Sequence, residues 1–427
     1  MFTFRLRSRS IFVGVIAVVA LTLLISNFWQ TKPRISELPN KQYGVRDVQF
    51  MRDMGVLIGP SLVNGNAARV LLNGEQIFPT MLSAIAKAQK TICFETYIYW
   101  SGDIGRDFAE ALSERARAGV RVHVLLDWVG SAKMDESLLE QMRHAGVEIK
   151  KFHKPTWHTL SRMNNRTHRK LLVVDGEIGY TGGVGIAQNW TGHAQDENHW
   201  RDSHFEVRGP VVGQVQATFM ENWLKVTGKP LAGEAYFPAL APVGSSPAQV
   251  FSSSPDGGAD SMELMYHMMI VAADRSIDLS MAYFVPDPMS SSALIAALQR
   301  GVRVRIIVPG EVTDSQIVGA ASRRLWGPLL KAGAEIYQYQ PTMYHCKVMI
   351  VDDFLVSVGS TNFDSRSFRL NDEANLNIYD EQFAAQQRIV FENDLERSRR
   401  VTLTEWADRS VWERLKELPG VILGSQL

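Results

Sequence analysis

Only two cysteines, Cys93 and Cys346, occur among 427 residues. So few thiols exclude a disulfide-built scaffold and a cysteine-ligated zinc module, and both are read as unpaired. An excess of one charge is also missing, because 45 basic and 45 acidic residues balance to zero. Without a broad basic face a dedicated nucleic-acid binder is disfavoured, and no nucleic-acid partner is expected, although a local basic groove is compatible with the balance. There is no His-Glu-x-x-His and no Asp-rich calcium loop, so neither a metal nor another cofactor is expected. What is present is ordinary for a folded chain: 45% hydrophobic and 21% charged residues, with length for two to four domains.

The one long apolar run lies at the N-terminus. Residues Ser10 to Thr31 carry no charged side chain, and Ile11–Trp29 is almost wholly apolar. At about 1.5 Å per residue this run spans the ~30 Å hydrocarbon core of a bilayer. Arg5, Arg7 and Arg9 precede it, and Phe28 and Trp29 suit the membrane interface. The run reads as an uncleaved single anchor. A cleaved signal peptide is the rival, but the run exceeds a usual signal core and no small-x-small site follows it. Lys32, Arg34, Lys41 and Arg46 nearly balance the leading arginines. The closest flank places the N-terminus inside and the globular part outside.

The remainder is one unit written twice. Gly119-Val-Arg-Val-His-Val-Leu-Leu recurs as Gly301-Val-Arg-Val-Arg-Ile-Ile-Val, and Ala145-Gly-Val-Glu-Ile recurs as Ala332-Gly-Ala-Glu-Ile. His168-x-Lys-Leu-Leu-Val-Val-Asp recurs as His345-x-Lys-Val-Met-Ile-Val-Asp. Order is kept while the loops vary, and the period is too long for a solenoid, so the chain is two homologous halves. Each half alternates helix and strand signals. The first predicts helices at Phe78–Lys90, Arg106–Ala118 and Leu138–Ala145, and strands at Ile92–Tyr99, Val120–Leu126 and Val147–Phe152. The second predicts helices at Met262–Ala273, Ser291–Arg300 and Leu325–Ala332, and strands at Ile277–Tyr283, Val302–Val308 and Ala334–Tyr339. Residues 380–418 read as amphipathic helix with Phe383, Ile389, Phe391, Leu395 and Trp406 as apolar contacts. The fold class is therefore α/β, each half a mixed β-sheet flanked by helices. The expected organisation is an anchor at 1–31, a linker at 32–65, a first half at 66–228, an inter-half linker at 229–250 and a second half at 251–427. The Gly-, Pro-, Ala- and Ser-rich Thr227–Ser254 marks the joint.

The chemistry concentrates in the repeated His-x-Lys-x4-Asp, which comprises His168, Lys170 and Asp175, then His345, Lys347 and Asp352. In a strand, residues i and i+2 share a face, so each His and Lys project together while Arg169 and Cys346 point the other way. A single copy on a strand reads most simply as a partly exposed edge. Two copies at matching places in a duplicated fold do not. Asp175 and Asp352 complete the motif and are read as organising the strand-end loops more than touching phosphate. The second copy continues Gly359-Ser-Thr-Asn362, where Ser360 and Asn362 offer polar contacts.

This pattern resembles the phospholipase D superfamily over roughly residues 65–415. Asn165-Arg-Thr-His-Arg-Lys170, Trp200-Arg-Asp-Ser-His204, Glu95-Thr-Tyr-Ile-Tyr-Trp, Tyr283-Phe-Val-Pro-Asp and Asn371-Asp-Glu-Ala-Asn375 narrow it further. With the N-terminal anchor, they look like the bacterial cardiolipin synthases of the phospholipase D type. The resemblance implies a bacterial inner-membrane phosphatidyltransferase acting on an anionic phospholipid. It would join two phosphatidylglycerol molecules into cardiolipin and glycerol through a phosphohistidine. A phospholipase D-type hydrolase, a phosphodiesterase nuclease and a membrane scaffold with a dead site are the other readings. The sequence does not distinguish phosphatidylglycerol from phosphatidylethanolamine as the second phosphatidyl donor, and the oligomeric state is left open.

The residues suit that chemistry. A neutral imidazole can attack phosphorus while two ammoniums hold the non-bridging oxygens, and the other imidazole serves as acid and then base. By resemblance the first His is the nucleophile, an assignment that internal symmetry makes reversible. Asp202 and Glu373 follow the motifs and would support an imidazole through its remote nitrogen. One departure stands out: Gly182-Gly-Val-Gly185 has glycine where the family has Asn, which puts acceptor choice or rate in doubt. His123 reads as a satisfied strand residue, and His193, His199 and His204 as a polar loop cluster near the site. Glu95 is read as a support of the site, and Arg397–Arg400 as either a headgroup contact or a solvated helix face.

Overall fold

The structure is a computed structural model that describes residues 37–152, 164–255 and 261–417, with isolated positions at 14, 15, 18, 19, 22 and 35. The expected membrane anchor lies almost wholly outside the described residues. Among those residues, no helix is long and apolar enough to cross a membrane.

The first half contributes strands β1 (Val63–Leu72), β2 (Thr91–Thr96), β3 (Arg121–Asp127), β4 (Glu148–Phe152), β5 (Leu171–Val174), β6 (Ile178–Gly182) and β7 (Ser203–Arg208). The second contributes β8 (Ser246–Ser253), β9 (Ser276–Met281), β10 (Arg303–Pro309), β11 (Glu335–Tyr339), β12 (Lys347–Val351), β13 (Leu355–Gly359), β14 (Asn371–Tyr379) and β15 (Ser398–Val401). These join one 16-stranded sheet, whose remaining strand, Arg166–Thr167, pairs beside β14. The order is β15-β11-β10-β9-β12-β13-β14-β8-β1-β7-β6-β5-β2-β3-β4. Apart from β15 it is a palindrome: β7-β6-β5-β2-β3-β4 on one side matches β14-β13-β12-β9-β10-β11 on the other. The duplication is thus a pseudo-two-fold with its axis between β1 and β8. The starts of β5 and β12, where the two His-x-Lys pairs sit, face each other across it.

The reason for the layering lies in the strand composition. β5 and β12 are buried along their whole length and read as continuous apolar runs, as strands covered on both faces do. On one side helices Asn73–Lys87, Asp103–Arg117 and Glu136–His144 pack over the first half, with Phe78, Phe94 and Phe108 in contact. On the other, the helix Val212–Thr227 sets Phe219 and Trp223 against a core that runs through both halves, from Cys93 to Leu376. A third cluster fills the helical side of the second half around Tyr266, Phe363 and Phe368.

Every expected helix and strand of the two halves is found, with shifted ends. The largest shift is at Gln316–Ala332, expected only from Leu325; Gly319 and Pro328 break its apolar repeat, and Ser315 caps its start. Two readings are corrected. The inter-half linker expected at 229–250 ends inside the sheet, since Ser246–Ser253 is β8. The C-terminal stretch is not one helix: Glu381–Glu396 is followed by the edge strand β15 and the short helices Leu403–Ala407 and Val411–Lys416. Ile389, expected as a contact, is 62% exposed. The basic run Arg397–Arg400 lies in β15 and its lead-in, where Tyr337 of β11 pairs with Arg400.

Candidate active site

Each His-x-Lys is the extended lead-in to a buried strand, and the opposite half holds it there. The His168 backbone N–H donates to Asp372 O of the second half at 2.9 Å, and the His345 N–H donates to Arg201 O of the first at 2.8 Å. Arg169 and Cys346 do point away from the imidazoles. Arg169 is fully buried and donates to the carbonyls of Thr218, Ser253 and Glu373 and to the carboxylate of Glu221, so its guanidinium ties the halves together. Glu95 works one residue upstream: it accepts from the Thr167 hydroxyl and, at 2.8 Å, from Asn222 Nδ2. Burial pushes its carboxyl up to about 7.

The supporting carboxylates are exchanged between halves. Glu373, downstream of His345, meets His168: Nδ1 lies 2.9 and 3.0 Å from its two oxygens. Asp202, downstream of His168, meets His345, with Nδ1 2.7 Å from Oδ2. Each acid follows one motif in sequence and serves the imidazole of the other, because the pseudo-two-fold crosses them. Each imidazole therefore donates Nδ1–H to a carboxylate and keeps an Nε2 lone pair, the tautomer a nucleophile or base needs.

Charge and burial agree with this assignment. Burial drives the His168 pKa down to about 4, Glu373 opposing and Lys170 and Lys347 assisting. His345 is lowered for the same first reason, with Lys347 next. Burial alone would raise Glu373 and Asp202, but the facing imidazoles, the neighbouring lysines and the hydrogen bonds from Ser360 and the Ser203 N–H together outweigh it and hold both below the usual carboxylate range. The state that satisfies all four is two neutral imidazoles beside two carboxylates. Lys170 and Lys347 are buried and lowered by burial, Lys170 to about 7. Each Nζ donates to the carbonyl of its own His, at 2.7 and 2.6 Å.

The two carboxylates are themselves held differently. Ser360 Oγ donates to Glu373 at 2.5 Å, and Asn371 Nδ2 donates at 3.2 Å. Asp202 accepts from Trp190 Nε1 at 2.9 Å and from the Ser203 N–H at 2.8 Å. A Cβ on Gly183 would stand 2.3 Å from Asp202 Oδ1, so glycine is what admits that carboxylate. The rings of Trp190 and Trp200 lie 5.2 and 5.6 Å from His345, and Tyr97 lies 5.2 Å from His168. Sequence reasoning gave Trp190 no role. Nothing in its local pattern marks it, whereas Tyr97 and Trp200 fall within the quoted motifs. Asn362 is buried, its backbone N–H donates to Ser367 Oγ, and its side-chain oxygen has no hydrogen-bond partner among the described residues, either imidazole included.

Asp175 and Asp352 stand apart from the imidazoles, at the strand ends whose loops they are read as organising. They close the far ends of β5 and β12, five residues or ~16 Å of strand beyond the lysines. Asp175 accepts from the N–H groups of Gln89, Lys90 and Thr91, and Asp352 from those of Asp274, Arg275 and Ser276. Both brackets fasten the starts of β2 and β9. Nor do the other histidines form one cluster. His193 and His199 are surface residues beside Glu75 and Asp196, His123 bonds Tyr236, and His204 is buried in β7. Glu263, His267 and Asp287 bring three possible metal-ligand atoms together in the second half, but Arg369 already pairs with Glu263 there.

The family pattern described as "Cardiolipin synthase, PLD-like domain" matches residues 81–223 and 266–395, one stretch in each half. The chain belongs to this phospholipase D-like family. The major cardiolipin synthase of Bacillus subtilis is 35% identical over 355 residues, 82% of this chain and 73% of that protein. Cardiolipin synthase 1 of Bacillus anthracis is 34% identical over 391 residues, 89% of this chain and 76% of that protein. Among solved structures, the phosphatidylserine synthase of Haemophilus influenzae superposes with a TM-score of 0.68 at 14% identity. It covers 89% of this chain and 99% of its own, which bears out the two-half α/β architecture. Membership in the phospholipase D-like family places both His-x-Lys lead-ins within the matched stretches.

Proposed function

We propose that this chain is a phosphatidyltransferase that makes cardiolipin and glycerol from two phosphatidylglycerol molecules. The observation that carries the reading is the crossed pair of buried, neutral imidazoles with a lysine beside each, in a chain about 35% identical to cardiolipin synthases. His168 Nε2 attacks the phosphorus of the first lipid, forming an N–P bond as the P–O bond to the glycerol headgroup breaks. Glu373 stabilises the positive imidazole so formed. Lys170 and Lys347 hold the non-bridging oxygens and offset the charge of the transition state. The bound phosphate anion raises the proton affinity of His345, which takes up a proton from solvent at Nε2 and gives it to the departing glycerol. His345 then takes the proton of a headgroup hydroxyl on the second phosphatidylglycerol. That oxygen displaces His168 from phosphorus and yields cardiolipin.

Ser360 orients Glu373 in this scheme, and Asn362 lines the second-half loop. The segment Ile11–Trp29 anchors the protein in a bacterial inner membrane, with residues 66–228 and 251–427 as the two halves on the extracytoplasmic side. Purified enzyme in mixed micelles with phosphatidylglycerol should form cardiolipin and free glycerol in equal amounts. Phosphatidate as sole product would replace the transferase by a hydrolase. A phosphoryl adduct trapped on His168 in H345A supports the stated roles; one trapped on His345 in H168A reverses them.

A further inference from the structure

One imidazole near the site has no part in the chemistry above. His204 is 1% exposed, and neither ring nitrogen has a hydrogen-bond partner among the described residues. A neutral imidazole carries one donor and one acceptor, and burying either without a partner forfeits the hydrogen bond that water would give it. Burial keeps the ring neutral by lowering its pKa to about 4, with Asp202 opposing and Lys170 assisting.

Strand register shows where this ring sits. Leu171 pairs with Thr181, and Gly182 pairs with His204. Lys170, Gly182 and His204 therefore follow one another across three adjacent chain segments. A Cβ on Gly182 would stand 2.6 Å from His204 Nδ1, so the missing side chain is what lets the ring lie over the row. In the second half Lys347, Gly359 and Asn375 occupy the same row. There a Cβ on Gly359 would stand 2.4 Å from Asn375 Oδ1. But Asn375 is closed on protein partners. Its Nδ2 donates to Tyr266 Oη at 3.1 Å and Ser357 Oγ at 3.0 Å, and its Oδ1 accepts from the Thr361 N–H at 3.3 Å. In the first half the residue matching Ser357 is Tyr180, whose hydroxyl is turned to Glu206. The same row thus holds a satisfied amide in one half and an imidazole with both nitrogens open in the other.

We propose that His204 is a substrate-binding residue that reads the lipid headgroup, hydrogen-bonding a glycerol hydroxyl of the phosphatidylglycerol whose phosphate lies beside Lys170. This rests on the reading of phosphatidylglycerol as substrate and adds to it the side chain that distinguishes a hydroxylated headgroup. Full-length enzyme is assayed for headgroup release from phosphatidylglycerol and from phosphatidylethanol with the same acyl chains. H204F should lower kcat/KM for phosphatidylglycerol at least tenfold and for phosphatidylethanol less than threefold. H204N, which restores a donor and an acceptor, should regain most of the difference. Equal losses on both lipids, or none on phosphatidylglycerol, overturn the assignment. Should H204F fail to fold, the His204 ring nitrogen resonances in the H168A background decide. A shift with short-chain phosphatidylglycerol but not with phosphatidylethanol supports the proposal, and the same response to both refutes it. A parent enzyme that releases glycerol yet forms only phosphatidate defeats the transferase reading alone, because the His204 comparison is read from headgroup release.

Discussion

Replacing Glu373 by glutamine tests the crossed arrangement most directly. Glu373 is fully buried and accepts from His168 Nδ1, Ser360 Oγ and Asn371 Nδ2. Glutamine keeps the shape and can keep one oxygen toward His168, but it removes the negative charge. A hydrogen bond to a charged group contributes about 1.5–3 kcal/mol and a neutral one about 0.5–1.5, so the ground-state loss is about 1 kcal/mol. The larger effect comes when His168 becomes positively charged on phosphorylation with no carboxylate beside it. Losing one such preorganised partner costs roughly 3–4 kcal/mol, or about 10²–10³ in rate. Because Glu373 touches His168 and not the lipid, kcat should fall by that factor with KM changed less than threefold. Initial rates of glycerol release over a range of phosphatidylglycerol mole fractions in micelles separate the two. The decisive comparison is adduct trapping: E373Q should suppress the adduct on His168, whereas D202N, acting through His345, should slow both its formation and its resolution, so that an adduct still accumulates. If E373Q keeps kcat within threefold of the parent, the carboxylate is structural and the reasoning fails.

Three further outcomes follow from the same geometry. With Lys170 lowered to about 7, it loses its proton as pH rises through that value, so kcat/KM should decline above about pH 7. K170R, whose guanidinium stays charged, should remove that decline even if its rate is lower; an unchanged alkaline limb would refute the assignment. His168 is lowered from 6.5 to about 4, so between those values the unfolded chain binds more protons than the folded one. Stability should accordingly rise from pH 4 to 6.5 and less steeply in H168F, as read by urea unfolding. Replacing Asp175 by alanine leaves three backbone donors without their acceptor and puts alanine at a φ of 54°. It should cost about 2–4 kcal/mol of stability while the folded fraction retains turnover within threefold. Loss of turnover without loss of stability would return Asp175 to the catalytic set.

What was legible in the sequence was whatever the duplication wrote twice in local spacing. The helices and strands of each half, the His-x-Lys pairs and the outward turn of Arg169 follow from periodicity, which needs only neighbours along the chain. The exchange of Asp202 and Glu373 does not, because it depends on how the start of β7 meets the lead-in to β12, and β14 the lead-in to β5, across the pseudo-two-fold. No spacing within one half encodes that approach. Asp175 and Asp352 show the converse: residues repeated as faithfully as the histidines serve the fold, since the bracket at the start of β2 and β9 is needed in each half as well.

Gly185 is where the two halves differ most instructively. In the second half Asn362 stands at this place, and its N–H donates to Ser367. In the first, a Cβ on Gly185 would stand 2.9 Å from Ile98 Cβ and 3.2 Å from Trp190 Cζ3. The room for an asparagine is taken by Ile98 and the Trp190 indole, and Trp190 follows Gly185 by the same five residues that separate Ser367 from Asn362. That indole is also the donor that holds Asp202 against His345. The glycine is therefore tied to a change of carboxylate support: Ser360 steadies Glu373 in one half, and Trp190 steadies Asp202 in the other. A hydroxyl can rotate with its partner, whereas a buried indole N–H is fixed by the packing of its ring. The duplicated site is thereby made unequal, with His345 packed beside two mutually contacting tryptophans and a rigidly held acid. Its partner His168 rests on a carboxylate whose support can adjust as charge develops on the ring. Two imidazoles that began as copies are in this way fitted to different steps of one reaction.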